Sequence, residues 1–185
     1  MITVVCSTRK PSEEFKQHVI KSSGLHNKIE FLCYENNGEF SLTQIYNRGL
    51  KQAKNDIVVF CHDDITFETK QWGNKLLKAF EKHSEFGIIG VAGTKYMASS
   101  GQWWEDKTKM YGRVQHTHEG KTWLSSYSED MGQEIEEAIV VDGVFFAVDK
   151  RKLKSDFDET FEGFHFYDVS FCFKNFLEGV KVGVI

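Results

Sequence analysis

The stretch "SLTQIYNRGLKQAKNDIVVFCHDDI", Ser41 to Ile65, holds a helix, a strand and a pair of adjacent carboxylates, in that order. Ser41 and Gln44 have the spacing of a capping box, and Leu42, Ile45, Gly49 and Ala53 fall on one helical face. The run "DIVVFC" is apolar at successive rather than alternate positions, which predicts a strand buried on both sides. It runs straight into His62, Asp63 and Asp64.

The same unit recurs on either side. Upstream, "ITVVCS" reads as a buried strand, and "PSEEFKQHVIKSSG" opens with Pro11, carries acids in its first turn and ends at Gly24, as a helix does. "IEFLCY" reads as a second buried strand. Downstream, "ETKQWGNKLLKAFEKH" places Trp72, Leu76 and Phe80 at helical steps, and "GIIGVAG" reads as a fourth strand. Strand and helix therefore alternate to about residue 93. This pattern predicts an α/β domain with a parallel sheet covered by helices on both faces, whose ligands bind beyond the carboxyl ends of the strands. The carboxylates of the opening stretch then face the ligand crevice.

From Thr94 to Glu137 the pattern gives way to Gly, Ser, Trp, His and charges, with hairpin strands predicted at "YGRVQH" and "KTWLSS". We read this as an excursion over the site. "AIVVDGVFFAVDK" restores a long apolar strand interrupted at Asp142 and Gly143. "YDVSFCFKNFLEG" reads as an amphipathic helix with Val169, Cys172, Phe173 and Phe176 inward and a stop at Gly179, and "VKVGVI" as a last strand. The expected architecture is one domain over residues 1–185, a mostly parallel twisted sheet with helices on both faces and a small β excursion in the second half.

A chain of 185 residues can bury a core without disulfides or a structural metal. Its net charge of -4 argues against a broad electrostatic grip on nucleic acid. The four cysteines, Cys6, Cys33, Cys61 and Cys172, form no CxxC pair and suit a reducing, cytoplasmic setting, free or peripheral at the inner face of a membrane. No run approaches the ~20 apolar residues of a membrane span, and no signal peptide is apparent. The 16 Phe and 4 Trp fit either a large core or a sugar-stacking surface, and Trp103, Trp104 and Trp123 in the excursion suit both. His116 and His118 alternate as a zinc pair would, but no third ligand is spaced to join them, so a solvated hairpin is the better reading.

Two adjacent carboxylates repel, and burying them is costly without a cation or donors. Asp64 could cap a helix beginning near Phe67. Alternatively, it could hold Mg2+ or Mn2+, with the coordination completed by substrate phosphates.

The ordered blocks "VVCSTR", "YENNG", "YNRGLKQAKNDIVVFCHDDI", "VDGVFFAVDK" and "FDETFEGFHFYDVSFCF" resemble the family 2 glycosyltransferases, in particular their shorter glycosyltransferase-like branch with the GT-A fold. The resemblance spans nearly the whole chain and is most specific in the blocks around His62–Asp64 and Phe164–Asp168. It implies a nucleotide-diphosphate sugar donor of UDP or GDP type, a glycan or other hydroxyl acceptor, hexosyl-type transfer, a divalent metal and usually inversion. It also implies a nucleotide-binding half over residues 1–93 and an acceptor-side half over 94–185.

Carried over by position, His62, Asp63 and Asp64 occupy the DxD motif, with Asp64 as metal ligand. His62 replaces the first aspartate, which contacts ribose or sugar; otherwise it is a histidine bonded to backbone at the core edge. Ser7, Thr8 and Arg9 fall where the family holds the base and diphosphate, although a plain loop suits them equally. Glu35, Asn36 and Asn37 fall where base or ribose is read, and "ENNG" is also an ordinary turn. Asn47 lies beside the site in the family pattern, or faces solvent on its helix. Asp168 takes the position of the catalytic base, with Tyr167 where glutamate is commoner; as a plain helix residue it would complement the dipole of the first turn. His165 would reach the metal or a phosphate, or else be packed and neutral. A non-catalytic sugar-nucleotide or glycan-binding module is the alternative function. A nucleotidyltransferase is disfavoured, because no glycine-rich, lysine-containing loop follows the first strand.

Overall fold

The computed structural model describes residues 1–127, 132 and 134–185. Strand β1 (Ile2–Thr8) leads to helix α1 (Glu13–Ser23), where Ser12 Oγ accepts the Phe15 N–H, two glutamates fill the first turn and Gly24 ends the helix at φ 73°. Strand β2 (Ile29–Glu35) precedes α2 (Leu42–Gln52), which opens on the Ser41–Gln44 capping box. Then come β3 (Ile57–Cys61), α3 (Trp72–Lys82), β4 (Phe86–Gly90) and β5 (Ala92–Thr94). The excursion forms the hairpin β6 (Met110–His118) and β7 (Lys121–Ser126), as expected. The chain closes with β8 (Glu136–Ala138), β9 (Val140–Val141), β10 (Phe145–Asp149), α4 (Tyr167–Leu177) and β11 (Lys181–Val184).

Seven strands make the main sheet in the order β2-β1-β3-β10-β4-β11-β8, and four make a smaller one, β7-β6-β5-β9. The expected mostly parallel sheet is instead mixed. β1 runs parallel to β2 and β3, and β11 to β4, but β10 is antiparallel to both β3 and β4, and β8 is antiparallel to β11. The chain returns from the excursion at the carboxyl edge of the sheet, so β10 must run back down between two strands that run up. Among the described residues no crossover helix precedes it to reverse that direction.

Two apolar runs divide between the sheets. "GIIGVAG" passes from β4 to β5 at Val91, and "AIVVDGVFFAVDK" supplies the end of β8, all of β9 and β10. β2, read as buried, is an edge strand and only half-buried over most of its length.

Helices cover both faces of the main sheet. Val19 of α1 with Leu76 and Phe80 of α3 packs on Ile2, Val4 and Val59, while Ile45 of α2 with Phe171 and Cys172 of α4 packs on Val5, Phe60 and Phe146. Gly49 allows α2 to approach β1 closely: a Cβ there would lie 2.4 Å from Val5 Cγ1. On α4, Val169 and Cys172 point inward as expected, Phe173 is half-buried and Phe176 faces solvent, because Asn175 takes the adjoining buried position. Asn175 Nδ2 donates to the carbonyls of Ser155 and Phe171, and its Oδ1 accepts from Lys154 and Ser155 N–H. Burial pushes the Cys61 and Cys172 thiols up, so both are inert apolar packing groups. Among the described residues no helix is long and apolar enough to cross a membrane.

Candidate functional site

The opening carboxylates lie where the fully buried strand β3 ends. His62 N–H still donates to Val144 O at 3.2 Å, and beyond it the chain leaves the sheet in a turn through Asp63 and Asp64. α3 begins only at Trp72, entered through Gln71 at φ 57°, so Asp64 is not its cap. Both carboxylates are exposed, which relieves their mutual repulsion, and Asp64 makes no hydrogen bond or ion pair with any described residue. The loop that carries them is anchored at its far end: Phe67 N–H donates to His18 Nε2 at 2.9 Å, and the Phe67 ring stacks on Trp72 at 4.6 Å. Burial, then Cys33 and the charge of Asp63, raise the Cys61 thiol at the end of the strand.

A second turn, Asp142–Gly143–Val144, joins the small sheet to the large one beside it. Asp142 N–H donates to Ala92 O at 2.8 Å, and Asp142 Oδ1 accepts the Val144 N–H at 2.7 Å. Gly143 N–H donates to Asp168 Oδ2 at 2.7 Å. Glycine is required, because a Cβ here would lie 1.9 Å from Tyr167 Oη. α4 enters this junction through Phe166 at φ 60°, which sets Tyr167 and Asp168 in its first turn. Burial, and then the charge of Asp142, push the Asp168 carboxyl up from 3.8 to about 6, against the pull of N–H donors from Val169, Gly143 and its own backbone. Burial also holds the Tyr167 hydroxyl well above its usual range, so it stays protonated. Tyr167 Oη lies 3.1 Å from His62 Nε2, which ties the two turns together.

Above these turns is a cavity of about 970 Å³. Its floor, at the carboxyl edge of the sheet, includes His62, Asp64 and Asp142, and its wall includes Lys75 of α3 with Arg113, His116 and Trp123 of the hairpin. The Trp123 and His116 rings stack at 5.3 Å and 16°. Of the expected site residues, His62 and Asp64 meet here.

The others sit nearby without lining this cavity. Ser7, Thr8, Arg9 and Glu35 end β1 and β2 at the same edge, with Arg9 and Glu35 exposed and Thr8 Oγ1 accepting the Lys10 N–H. Asn36 is buried in an Asx turn, its Oδ1 accepting from Gly38 and Phe40 N–H and its Nδ2 donating to Phe40 O. Asn47 joins α2 to a distant segment: its Oδ1 accepts the Phe157 N–H and its Nδ2 donates to Phe157 O and Glu159. His165 is exposed on the loop before α4. Trp103 is core, whereas Trp104 and Trp123 are about half exposed.

Asp142, Lys75 and Arg113 were not singled out from the sequence as site residues. The one signal was for Asp142, as the polar break in an apolar strand. A smaller hollow of about 320 Å³ at the opposite edge contains Asp149, but that carboxylate is fully engaged by Arg151 and Lys152.

No group of three His, Cys, Asp or Glu side chains suited to a metal occurs among the described residues. The free carboxylate of Asp64 nevertheless fits a hard divalent cation of the kind held by one or two carboxylates and completed by water and substrate phosphates.

A family model described as "Glycosyltransferase like family" matches residues 8–185. No curated protein matches the chain. Among solved structures, one described as "Crystal Structure of A197 from STIV" superimposes with a TM-score of 0.51 at 10% identity, covering 100% of this chain and 81% of that one. At that identity the likeness concerns the fold.

Proposed function

The chain belongs to the glycosyltransferase-like family, and from that premise we propose that it transfers a sugar from a nucleotide-diphosphate donor to an acceptor hydroxyl with inversion. The observation that carries this reading is the free Asp64 carboxylate at the end of a central strand, in a cavity it shares with His62 and Asp142. In this reading Asp64 holds Mg2+ or Mn2+, which when bound neutralises charge on the donor diphosphate. Arg9, with Ser7, Thr8 and Glu35, borders the nucleotide of a UDP- or GDP-type donor at the ends of β1 and β2. An acceptor oxygen attacks the sugar carbon from the side opposite the diphosphate; the new C–O bond forms as the bond to phosphate breaks. The hydroxyl proton passes to the Asp142–Asp168 pair, with Asp168 as the base. A carboxyl near 6 is a better proton acceptor at neutral pH than an ordinary aspartate. His62, oriented by Tyr167, borders the donor sugar.

The test is binding first. Saturating UDP or GDP with Mn2+ is expected to raise Tm by roughly 5–10 °C, from a stabilisation of about 2.7 kcal/mol at a hundred times Kd. Asp64→Ala, on an exposed turn, should abolish that shift, and an unchanged shift would remove Asp64 from the metal.

A second reading, a binding module without turnover, draws on one observation: His62 is engaged by Tyr167, and the Asp168 carboxylate already accepts the Gly143 N–H. Slow, Mn2+-dependent hydrolysis of UDP-glucose or GDP-mannose supports the enzyme; binding of the nucleotide without hydrolysis or transfer supports the module.

A further inference from the structure

Three of the four cysteines stand side by side on neighbouring strands. Cys6 on β1 is paired in register with Cys33 on the parallel strand β2, and Cys61 ends β3, which lies on the other side of β1. All three turn to the same face of the main sheet, among Ile2, Val4, Phe31 and Val59. They differ in access. β2 is the edge strand and its Cys33 is half-buried, whereas Cys6 and Cys61 are fully buried. Paired Cα atoms on adjacent strands lie about 4.8 Å apart, inside the range of roughly 4.4–6.8 Å that a disulfide spans. The two side chains already meet, the Cys6 thiol donating to the Cys33 sulfur. That bond holds the Cys33 thiol below its usual range, against burial and the charge of Asp63, while the same bond and burial hold Cys6 far above it. An accessible thiol that ionises readily, next to a second thiol, has the arrangement of a reactive cysteine and its resolving partner.

We propose that Cys6 and Cys33 form an oxidation site, which closes to a reversible disulfide when the chain meets a peroxide. The Cys33 thiolate attacks one peroxide oxygen; the O–O bond breaks, and the departing hydroxide takes up a proton to leave as water. The Cys6 sulfur then attacks the Cys33 sulfenic acid; the S–S bond forms as the S–O bond breaks, and the Cys6 proton leaves with the oxygen as a second water. Two thiols are oxidised by two electrons, and one peroxide is reduced. The bond ties the edge strand to β1 just before Ser7 and Tyr34, and the proposal does not rest on the donor reading.

The experiment treats the full chain with hydrogen peroxide, alkylates it with iodoacetamide in denaturant, and weighs it by mass spectrometry. Alkylatable thiols are expected to fall from four to two, a peptide map should join Cys6 to Cys33, and dithiothreitol should restore all four. Four thiols that survive peroxide overturn the proposal. So does the loss of Cys33 alone, whether to an acid that dithiothreitol cannot reduce or to a disulfide between two chains. Cys33→Ser, on the half-buried edge strand, should keep its three remaining thiols through the same treatment. If that variant still loses two of them, the bond joins Cys6 to Cys61 and the assignment falls.

Discussion

Asp168 is held in two ways at once: backbone N–H groups favour its ionised form, while burial and the neighbouring Asp142 oppose it, and the opposition prevails. Its carboxyl therefore titrates higher in the folded protein, at about 6, than in the unfolded chain, at about 3.9. As pH rises through this window the unfolded chain ionises first, so the stabilisation present below about 4 is lost by about 6, on the order of 2–3 kcal/mol. Asn at 168 can still accept the Gly143 N–H but does not titrate. Asp168→Asn is expected to flatten the stability profile between pH 4 and 6.5 in urea unfolding and to be more stable than the unaltered chain at pH 7 by about 1–3 kcal/mol. Profiles that superimpose would show that the carboxyl is not perturbed. If Asp168 is the base, the same variant loses turnover while gaining stability, as expected of a strained functional group. Asp168 and Asp64 were marked by the resemblance of the blocks around them to the glycosyltransferase family. Asp142 showed only as a polar break in an apolar run; its place at a junction between two sheets is something no local pattern encodes.

Among the elements, α2 was the most legible, since its cap and its inward face both lie within one short stretch and the structure reproduces both. What it touches was not legible. Asn47 bonds to Phe157 and Glu159, more than a hundred residues away, so its amide is spent on holding the segment that leads to α4. Gly49 reads in sequence as a weak point, because glycine in a helix costs about 1 kcal/mol relative to alanine. The packing reverses that expectation: an alanine Cβ would press on Val5, which is fully buried and has nowhere to move. Overpacking of this kind costs about 1–3 kcal/mol and exceeds the gain in helix propensity. Gly49→Ala is therefore expected to lower Tm by roughly 2–8 °C, measured by thermal unfolding. A rise in Tm would mean that α2 can lift from β1.

For the whole molecule, the alternation of strands and helices in the first half identified the α/β class, because that follows from local periodicity. The direction of β10 was hidden, since direction in a sheet depends on where the chain re-enters and not on the composition of the strand. The nucleotide-binding half proposed for residues 1–93 consequently lacks the strand that joins β3 to β4. A fragment of residues 1–93 is expected to show no cooperative unfolding by circular dichroism, and mixing with a fragment of residues 94–185 should restore it. A sharp transition in the first fragment alone would show that β3 and β4 can pair directly. Insertion of β10 has a further consequence at the ribosome. β3 is complete at Cys61, but its partner β10 ends only at Asp149. At about 5–20 residues per second, synthesis leaves the apolar edge of β3 without its neighbour for roughly 4–18 seconds. Through that interval the nascent chain offers an open strand edge to other chains, so yield in the cell should depend on what shields β3 until β10 arrives.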